Sequence, residues 1–417
     1  MDATKDYNLR ALATRRIKNM KRTGCIALLL LASIPAWSAK KMTVAELKDM
    51  LLTLHQQSKA DAEVADALKQ VQLSEELTRT MMNSLVPTVP GPLSTEQIYV
   101  LEARSAMLAP PASDLPTTAP LDSAAQQTLL ARADTYATKS YTQLPAISAT
   151  RTTLRFQDNV LALAASSGMH GSATDVSVGS GSVNPNQFVR YMNATDATIS
   201  SERGVEKLPE DKTRWGANGM ISLMQPDPNL AQVWNEARDA STVKWVRWEL
   251  INNKPAAVFS FEVPKKKTHL AVNVCCFPKI EQAGTVHFMS ASGAGGSTPG
   301  APGGAKGNLQ TNTEYDPYKA VAPYHGEFFI DPDTGIVVRM ITQAELKPAE
   351  MVHQVDTRID YGPVTVGDKS LVLPLKTVVD TEVVPYGESG GGSYHTRCTL
   401  FTSEYKNQQL AGATAQK

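Results

Sequence analysis

Histidine, cysteine and carboxylate side chains are the groups in this sequence that could bind a metal or move a proton. The seven histidines are scattered, and no two stand at metal-ligand spacing: His55, His170, His269, His287, His325, His353 and His395. Zinc needs at least three nitrogen or sulfur donors that converge in space. Cys275 or Cys276, together with Cys398 and His395, could in principle supply these donors. A disulfide or buried thiols explain the same cysteines. Nucleophile-elbow, phosphate-loop, dinucleotide-binding and His-Glu-x-x-His motifs are missing, so we predict no catalytic residue, metal site or cofactor.

Two groupings of acidic and basic residues remain as acid-base candidates. His325 and Glu327 stand two residues apart. Asp356, Arg358 and Asp360 stand at every second position of a predicted strand, so they share one side of it. Solvated charge on the outer face of a sheet explains this alternation better than a general acid and base do. A hydrolase of unrecognised site geometry stays open as an alternative, with His325 and Glu327 as the residues whose substitution would test it.

Large aromatic side chains concentrate in one predicted hairpin, whose strands cover residues 243–250 and 256–263. Simple alternation places Trp248 on one side of the first strand and Trp245 on the other. Both faces would then carry rings. One face packs against helices, and the second is either ordinary core or the lining of an apolar cavity. The predicted ligand-binding residues are Val246, Trp248, Leu250, Phe259 and Phe261.

An apolar run near the N-terminus is typical of a secretion signal. Cys25–Ile34 is ten residues long, about half of what a bilayer-spanning helix needs. A basic stretch precedes this run and small residues follow it, as signal peptidase requires. We predict a cleaved signal peptide over residues 1–38 and a periplasmic or secreted product. Residues 1–19 are an upstream extension if Met20 is the true start.

Three cysteines follow the predicted cleavage site: Cys275, Cys276 and Cys398. In an oxidising compartment one pair is expected and one thiol is left over. A bond between adjacent cysteines would strain the peptide between them, which favours a bridge from Cys276, or its neighbour, to Cys398. Such a bridge would contribute on the order of 4 kcal/mol. Three buried thiols are the alternative.

Residues 39–142 carry the pattern of amphipathic helices. Thr43 and Glu46 form a capping-box sequence, and apolar residues follow at helical spacing. Further helix starts are predicted at Asp61, Ser94 and Asp122. Repeated prolines exclude one continuous helix. The helices need a surface to cover, which is either each other and the sheet or a partner protein contacted through residues 43–108.

From about residue 145 the apolar pattern changes to strict alternation, which predicts strands. They are expected at 150–156, 243–250, 256–263, 268–274, 328–331, 336–341, 351–361, 371–379 and 394–405. Short returns such as Asp331–Gly335 are typical of an antiparallel sheet. We predict the α+β class, with amphipathic helices followed by an antiparallel β domain over 143–410. A glycine-rich insertion is expected at 290–310 and a flexible tail at 411–417.

Six stretches of the chain carry a resemblance to known sequences: Thr43–Asp49, Leu73–Thr78, Leu144–Phe156, Gly326–Gly335, Tyr361–Val364 and Leu373–Pro374. They are similar to a family of uncharacterised secreted bacterial proteins. The resemblance spans most of the mature chain. Because that family has no assigned activity, the resemblance supports the domain boundaries more than the function.

The β part is more distantly similar to a second group, through the turn Ile330–Gly335 and the apolar strand after it. It resembles the periplasmic lipoprotein carriers and their sigma-factor-regulator relatives. That resemblance implies a curved, half-barrel-like antiparallel sheet that holds acyl chains on its concave side beneath helices. The glycine-rich insertion and the long helical region depart from the carrier pattern, so no ligand residue is carried over.

Composition narrows the function further. Lys and Arg number 41 and Asp and Glu number 41, and zero net charge argues against a nucleic-acid binder. We expect an exported, non-enzymatic binding protein for a lipid-like or envelope ligand, such as a lipid or lipoprotein, not membrane-spanning when mature. Two alternatives stay open: a helical protein-interaction module on a β scaffold, and the hydrolase.

Overall fold

The computed structural model describes residues 40–157, 189–207, 227–278, 315–347, 352–383 and 397–412. The predicted signal peptide at 1–38, the insertion at 290–310 and most of the tail at 411–417 lie outside the described residues, and they stay predictions. The described residues from Lys41 onward belong to one compact unit.

Four helices of the N-terminal region form a small core of their own. They are α1 (Val44–Gln56), α2 (Asp61–Lys69), α3 (Arg79–Leu85) and α4 (Pro92–Arg104), with a two-stranded sheet of β1 (Lys40–Met42) and β2 (Val71–Leu73). The capping box of α1 is confirmed, because Thr43 Oγ1 accepts from the Glu46 amide and the Glu46 carboxylate accepts from the Thr43 amide. The start predicted at Ser94 was two residues late, since Pro92 suits the first helical position. The apolar stripes of these helices pack against one another.

A ten-stranded antiparallel sheet follows. Its strands are β3 (Ile147–Gln157), β4 (Arg190–Glu202), β5 (Val205–Lys207), β6 (Lys244–Ile251), β7 (Lys254–Val263), β10 (Tyr324–Ile330), β11 (Val337–Ala344), β12 (Val352–Val366), β13 (Lys369–Val383) and β14 (Arg397–Leu410); β8 (Ala271–Pro278) and β9 (Tyr315–Val321) form a separate pair. The order is β5-β4-β3-β14-β13-β12-β11-β10-β7-β6. This sheet and the helices confirm the α+β class. The outer strands β5 and β6 do not pair with each other, so the described sheet is not a closed barrel, and half-barrel curvature stays a prediction.

Two further helices of the described residues pack on one side of the sheet. α5 (Ser123–Thr135) runs on into a π-helical turn, Tyr136–Ser140. α6 (Leu230–Ala240) lies in a region for which the sequence predicted strands alone, and that expectation is wrong there. Asn229 caps α6, because its Oδ1 accepts from the Gln232 amide. Within the described ranges, no helix is both long and apolar enough to cross a bilayer.

Alternation along the strands gives the sheet two unlike faces. The core face carries Phe259, Phe328 and Ile359, which pack in one apolar cluster with residues of α5 and α6. The charged face is the opposite side, where Arg339 and Asp360 lie. The core face therefore packs by apolar burial, whereas the charged face combines an apolar patch beneath α4 with charged side chains.

We predict that Gly326→Ala destabilises the core face. An added Cβ would lie 1.9 Å from the Ile341 carbonyl oxygen and 2.7 Å from the Phe261 ring, so backbone or ring must move. The free energy of unfolding, measured by urea titration, should fall by about 3 kcal/mol or more. The control is Gly367→Ala, whose Cβ meets nothing within 4 Å and whose φ of 65° should cost only about 1 kcal/mol. Equal losses in the two variants would contradict the close approach at Gly326.

Candidate functional site

A row of charged side chains crosses the charged face from strand to strand. The register pairs Arg339 of β11 with Asp360 of β12. It then pairs Asp360 with Lys376 of β13, and Lys376 with Glu404 of β14. Directly opposed residues in antiparallel strands share a face. Four charges of alternating sign therefore lie side by side.

The N-terminal helical region places carboxylates onto this row. Glu76 Oε1 accepts from Arg358 Nη1 at 2.5 Å, and Glu76 Oε2 lies 3.6 Å from Arg339 Nη1. Glu102 of α4 pairs with Lys376. Ion pairs thus join the helical layer to the sheet.

This contact overturns the interpretation of Asp356, Arg358 and Asp360 as solvated charge. Asp356 and Arg358 are buried, because the helical layer covers the face that was expected to meet water. Burial alone would raise the pKa of Asp360, but the guanidinium groups of Arg339 and Arg358 outweigh burial and hold that pKa well below its usual range. The alternation of these residues was predicted correctly, and their solvation was not.

A cleft of about 520 Å³ opens on one side of the Glu76 contact, over the outer strands. We call it the edge cleft; His325 and Glu327 both line it. Both oxygens of Glu327 accept from Arg247, at 2.7 and 2.9 Å. His325 Nδ1 lies 3.3 Å from Glu345 Oε1. The two residues of the hydrolase alternative are therefore near each other but engaged with different partners, and Glu327 is held as a counter-ion.

A second cleft, of about 630 Å³, opens on the other side of the Glu76 contact; we call it the basic cleft. Its charged lining consists of Lys48, Arg79, Arg339, Arg358, Lys376, Lys406, Glu76, Glu102, Asp360 and Glu404. Cationic side chains exceed acidic ones by two. Burial lowers the pKa of the Lys376 amine, although Glu102 beside it acts in the opposite direction. The basic cleft is positively charged and of the size that holds small ligands.

The aromatic hairpin differs from its predicted arrangement. Val246 has no cross-strand partner in β7 and forms a bulge, which reverses the alternation after it. Trp245 and Trp248 therefore lie on the same face, with ring centroids 5.2 Å apart. Trp248 Nε1 donates to the Ala119 carbonyl at 2.8 Å. The prediction that this hairpin carries rings on both faces is wrong.

Packing occupies the surroundings of the predicted ligand residues. Phe259 is fully buried and its ring contacts Trp245, with centroids 5.5 Å apart. Phe261 stacks on Phe328 at 4.3 Å between centroids. Leu250, by contrast, lines the basic cleft. The ligand role of these residues stays a prediction, and the basic cleft lies on the charged face, away from the aromatic rings.

A buried polar cluster on the core face was missed by sequence reasoning. Arg151 Nη1 donates to Glu206 Oε1 at 2.5 Å, and Arg151 Nη2 lies 3.5 Å from Asp227 Oδ1. Tyr405 Oη lies 3.0 Å from Glu206 Oε2 and 2.6 Å from Asp227 Oδ2. All four side chains are buried. Their wide separation along the chain leaves no local motif that could have revealed them.

The geometry of this cluster requires a shared proton. A phenol has one proton, yet Tyr405 Oη lies within hydrogen-bond distance of two carboxylates. The two carboxylates therefore compete for this one proton. Burial and the charge of Asp227 raise the pKa of Glu206 to about 7, although Arg151 acts against them. A protonated Glu206 would relieve this competition, because it needs no proton from Tyr405.

A small inner cavity of about 40 Å³ adjoins this cluster, which is room for ordered water. Tyr141, Tyr405 and Gln408 are among its lining residues. Within the described part of the chain, Gln408 Oε1 is buried and accepts no hydrogen bond. Water in the cavity would satisfy it.

The predicted disulfide is not tested by the described side chains. Cys398 is buried, and its Sγ donates to Asp380 Oδ1 at 3.2 Å. The side chains of Cys275 and Cys276 lie outside the described residues. The bridge from Cys276 to Cys398 stays a prediction.

Comparisons with protein-family models, with curated proteins and with solved structures find no match for this chain. Among the described residues, no group of three or more His, Cys, Asp or Glu side chains is arranged to hold a metal ion. The two clefts and their charges are therefore the features of the described residues that bear on function.

We predict that Glu76→Ala strongly weakens the docking of the helical layer. It removes the helical carboxylate from two buried arginines, and breaking such a pair from one side typically costs about 3 to 5 kcal/mol of unfolding free energy. Asp66→Ala is the control, because its pair with Lys69 is exposed and should contribute less than about 0.5 kcal/mol. Urea unfolding of both variants measures the difference, and similar small losses would show that the buried contact contributes little.

We predict that Glu206→Gln changes how stability depends on pH. The folded-state pKa of Glu206 is about 7 against its usual 4.5, so folding favours the protonated acid. That stabilisation is full below about pH 4.5 and disappears as pH rises through 7. The glutamine amide of the variant stays neutral at every pH, so the variant should gain about 1 to 3 kcal/mol relative to the original chain across this window.

Urea unfolding at a series of pH values measures this gain. Glu202→Gln is the control, because Glu202 is exposed and its pKa is lowered by its hydrogen bond to Lys207. A difference between Glu206→Gln and the original chain that stays constant from pH 4.5 to about 7.5 would rule out the shared proton.

Proposed function

We propose that this chain is an exported, non-enzymatic binding protein and that the basic cleft holds an anionic amphiphile of the cell envelope. The observation that carries the proposal is a 630 Å³ space with an excess of positive charge and apolar patches beside it. The signal-like N-terminal sequence supports export.

The charge of the cleft favours an anionic head group. Within the described residues, Lys48 on α1 makes no ion pair, and Lys406 shares the carboxylate of Glu404 with Arg79. Both lysines are exposed at the cleft. A carboxylate or phosphate would supply the missing negative charge and form charge-assisted hydrogen bonds.

Apolar side chains favour an attached hydrocarbon chain. Leu250, Leu375 and Met81 line the cleft, and Leu375 is 38% exposed. Leu52 lies one helical turn from Lys48 on α1 and is 41% exposed, so the two share a side of the helix. An amphiphile could cover these groups while its head group meets the lysines.

The two alternatives have less support. The helices expected to contact a partner protein bury their apolar stripes in their own core. Glu327 of the hydrolase alternative is held by Arg247 and is poorly placed to act as a general base. Neither observation favours a partner surface or a hydrolytic site over the basic cleft.

The proposal is tested by Lys48→Glu combined with Lys406→Glu. Displacement of a dansyl-labelled fatty acid measures affinity, and native mass spectrometry of periplasmically produced protein detects a co-purifying amphiphile. We expect the original chain to bind the probe, more weakly at higher salt. The charge-reversed variant should bind it at least about tenfold more weakly.

Lys319→Glu combined with Lys369→Glu is the matched control. It changes the net charge equally at two exposed lysines outside the cleft, and affinity should stay within about twofold of the original. The corresponding fatty alcohol should bind less well than the acid. The proposal fails if no amphiphile co-purifies and the probe does not bind, or if both double variants weaken binding equally.

A further inference from the structure

A third surface groove, of about 840 Å³, lies between α5 with its π-helical turn, the turn before β11 and the start of β13. We call it the hydroxyl groove. It is lined by the hydroxyl residues Thr128, Thr135, Ser140, Thr334 and Ser370, the apolar residues Ala131, Leu144, Ile336, Leu371 and Val372, two tyrosines and Arg132. It shares no lining residue with the basic cleft. Its chemistry is therefore independent of the proposed amphiphile site.

The hydroxyl groove carries almost no charge. Among the described residues that line it, Arg132 is the single ionisable one apart from Tyr136 and Tyr141. Arg132 Nη1 already donates to the Asp333 carbonyl at 2.7 Å. This described lining contains no lysine, histidine or carboxylate, so a cationic ligand would find no counter-ion there, and the Arg132 guanidinium is the one group with which an anion could pair.

The hydroxyl groups of the groove offer a ligand more hydrogen-bond acceptors than donors. Thr128 Oγ1 donates to the Ala124 carbonyl at 2.9 Å, and Thr135 Oγ1 donates to the Ala131 carbonyl at 3.0 Å. Thr334 Oγ1 donates to Asp331 Oδ1 at 2.9 Å. A hydroxyl whose proton is already donated still has lone pairs that accept. The groove thus complements a ligand that is rich in donors.

The π-helical turn at the back of the groove has an incomplete hydrogen-bond set. Within the described part of the chain, Tyr136 Oη is buried and has no hydrogen-bond partner. Burial raises the pKa of this phenol, so it stays a donor. π-helical turns are frequent at functional sites, and an unsatisfied buried hydroxyl calls for water or a ligand group beside it.

We propose that the hydroxyl groove binds a neutral saccharide. Sugar hydroxyls supply the donors that the threonine oxygens can accept, and the C–H faces of the ring can cover Leu371, Val372 and Ile336. A sugar without charge also suits a groove whose one formal charge, on Arg132, already binds a backbone carbonyl. The ligand class follows from this combination of acceptors, apolar patches and low charge.

The test uses neutral oligosaccharides of glucose, of galactose and of N-acetylglucosamine with the whole mature chain. Saturation-transfer NMR and calorimetry should show binding of at least one of them. Thr128→Lys should weaken that binding at least about tenfold, because it places a long charged side chain in the groove. Ser370→Tyr, on the opposite wall, should do the same and guards against a folding defect in the first variant.

Thr53→Lys is the matched control. Thr53 is also an exposed threonine in a 13-residue helix, and its Oγ1 donates to the carbonyl four residues earlier. This control should keep saccharide binding, as should Lys48→Glu with Lys406→Glu, which separates this site from the amphiphile cleft. The inference is overturned if no sugar in the panel binds, so that the groove holds water only, or if Thr128→Lys and Thr53→Lys bind equally well.

Discussion

The contact between Glu76 and the arginine pair Arg339 and Arg358 decides how the rest of the molecule is arranged. It docks the helical layer on the sheet through long charged side chains. Next to it, Val100 and Ala103 of α4 pack against apolar residues of the same face of the sheet. Open space remains on both sides of the contact, and that space is the edge cleft and the basic cleft. The candidate site thus lies where ion pairs, and not apolar contacts, join the helical layer to the sheet.

Ionic docking is an expensive way to join two layers, since each buried charge must be desolvated. Neighbouring charges of opposite sign offset that cost. Arg339 and Arg358 share the carboxylate of Asp360, and Glu76 lies against both arginines. The pKa of Asp360 stays low because two guanidinium groups outweigh burial. Such a network is geometrically demanding, which fixes the helical layer in one position. The apolar core face can then supply most of the stability while the charged face sets the shape of the clefts.

Local patterns predicted local structure well and long-range contacts poorly. The capping box at Thr43 and the alternation of Asp356 to Asp360 were read correctly, because each is encoded by neighbours in sequence. The burial of that alternating run depends on Glu76, about 280 residues away along the chain. No sequence feature near the run predicts this contact. The bulge at Val246 carries no proline or glycine signal and inverted the expected faces of the hairpin. α6 was different: a capping Asn229 and apolar residues at helical spacing were present in the sequence and were overlooked.

The basic cleft and the hydroxyl groove are joined by two tyrosines. Tyr405 lines both the basic cleft and the inner cavity, and Tyr141 lines both the inner cavity and the hydroxyl groove. Energetic linkage between two sites needs an element with two discrete arrangements. Tyr405 offers one, because its hydroxyl lies 3.0 Å from Glu206 Oε2 and 2.6 Å from Asp227 Oδ2 and can donate to only one of them at a time. A ligand that moved Tyr405 in the basic cleft would disturb these buried hydrogen bonds beside the inner cavity, and linkage between the two sites would have to pass through them.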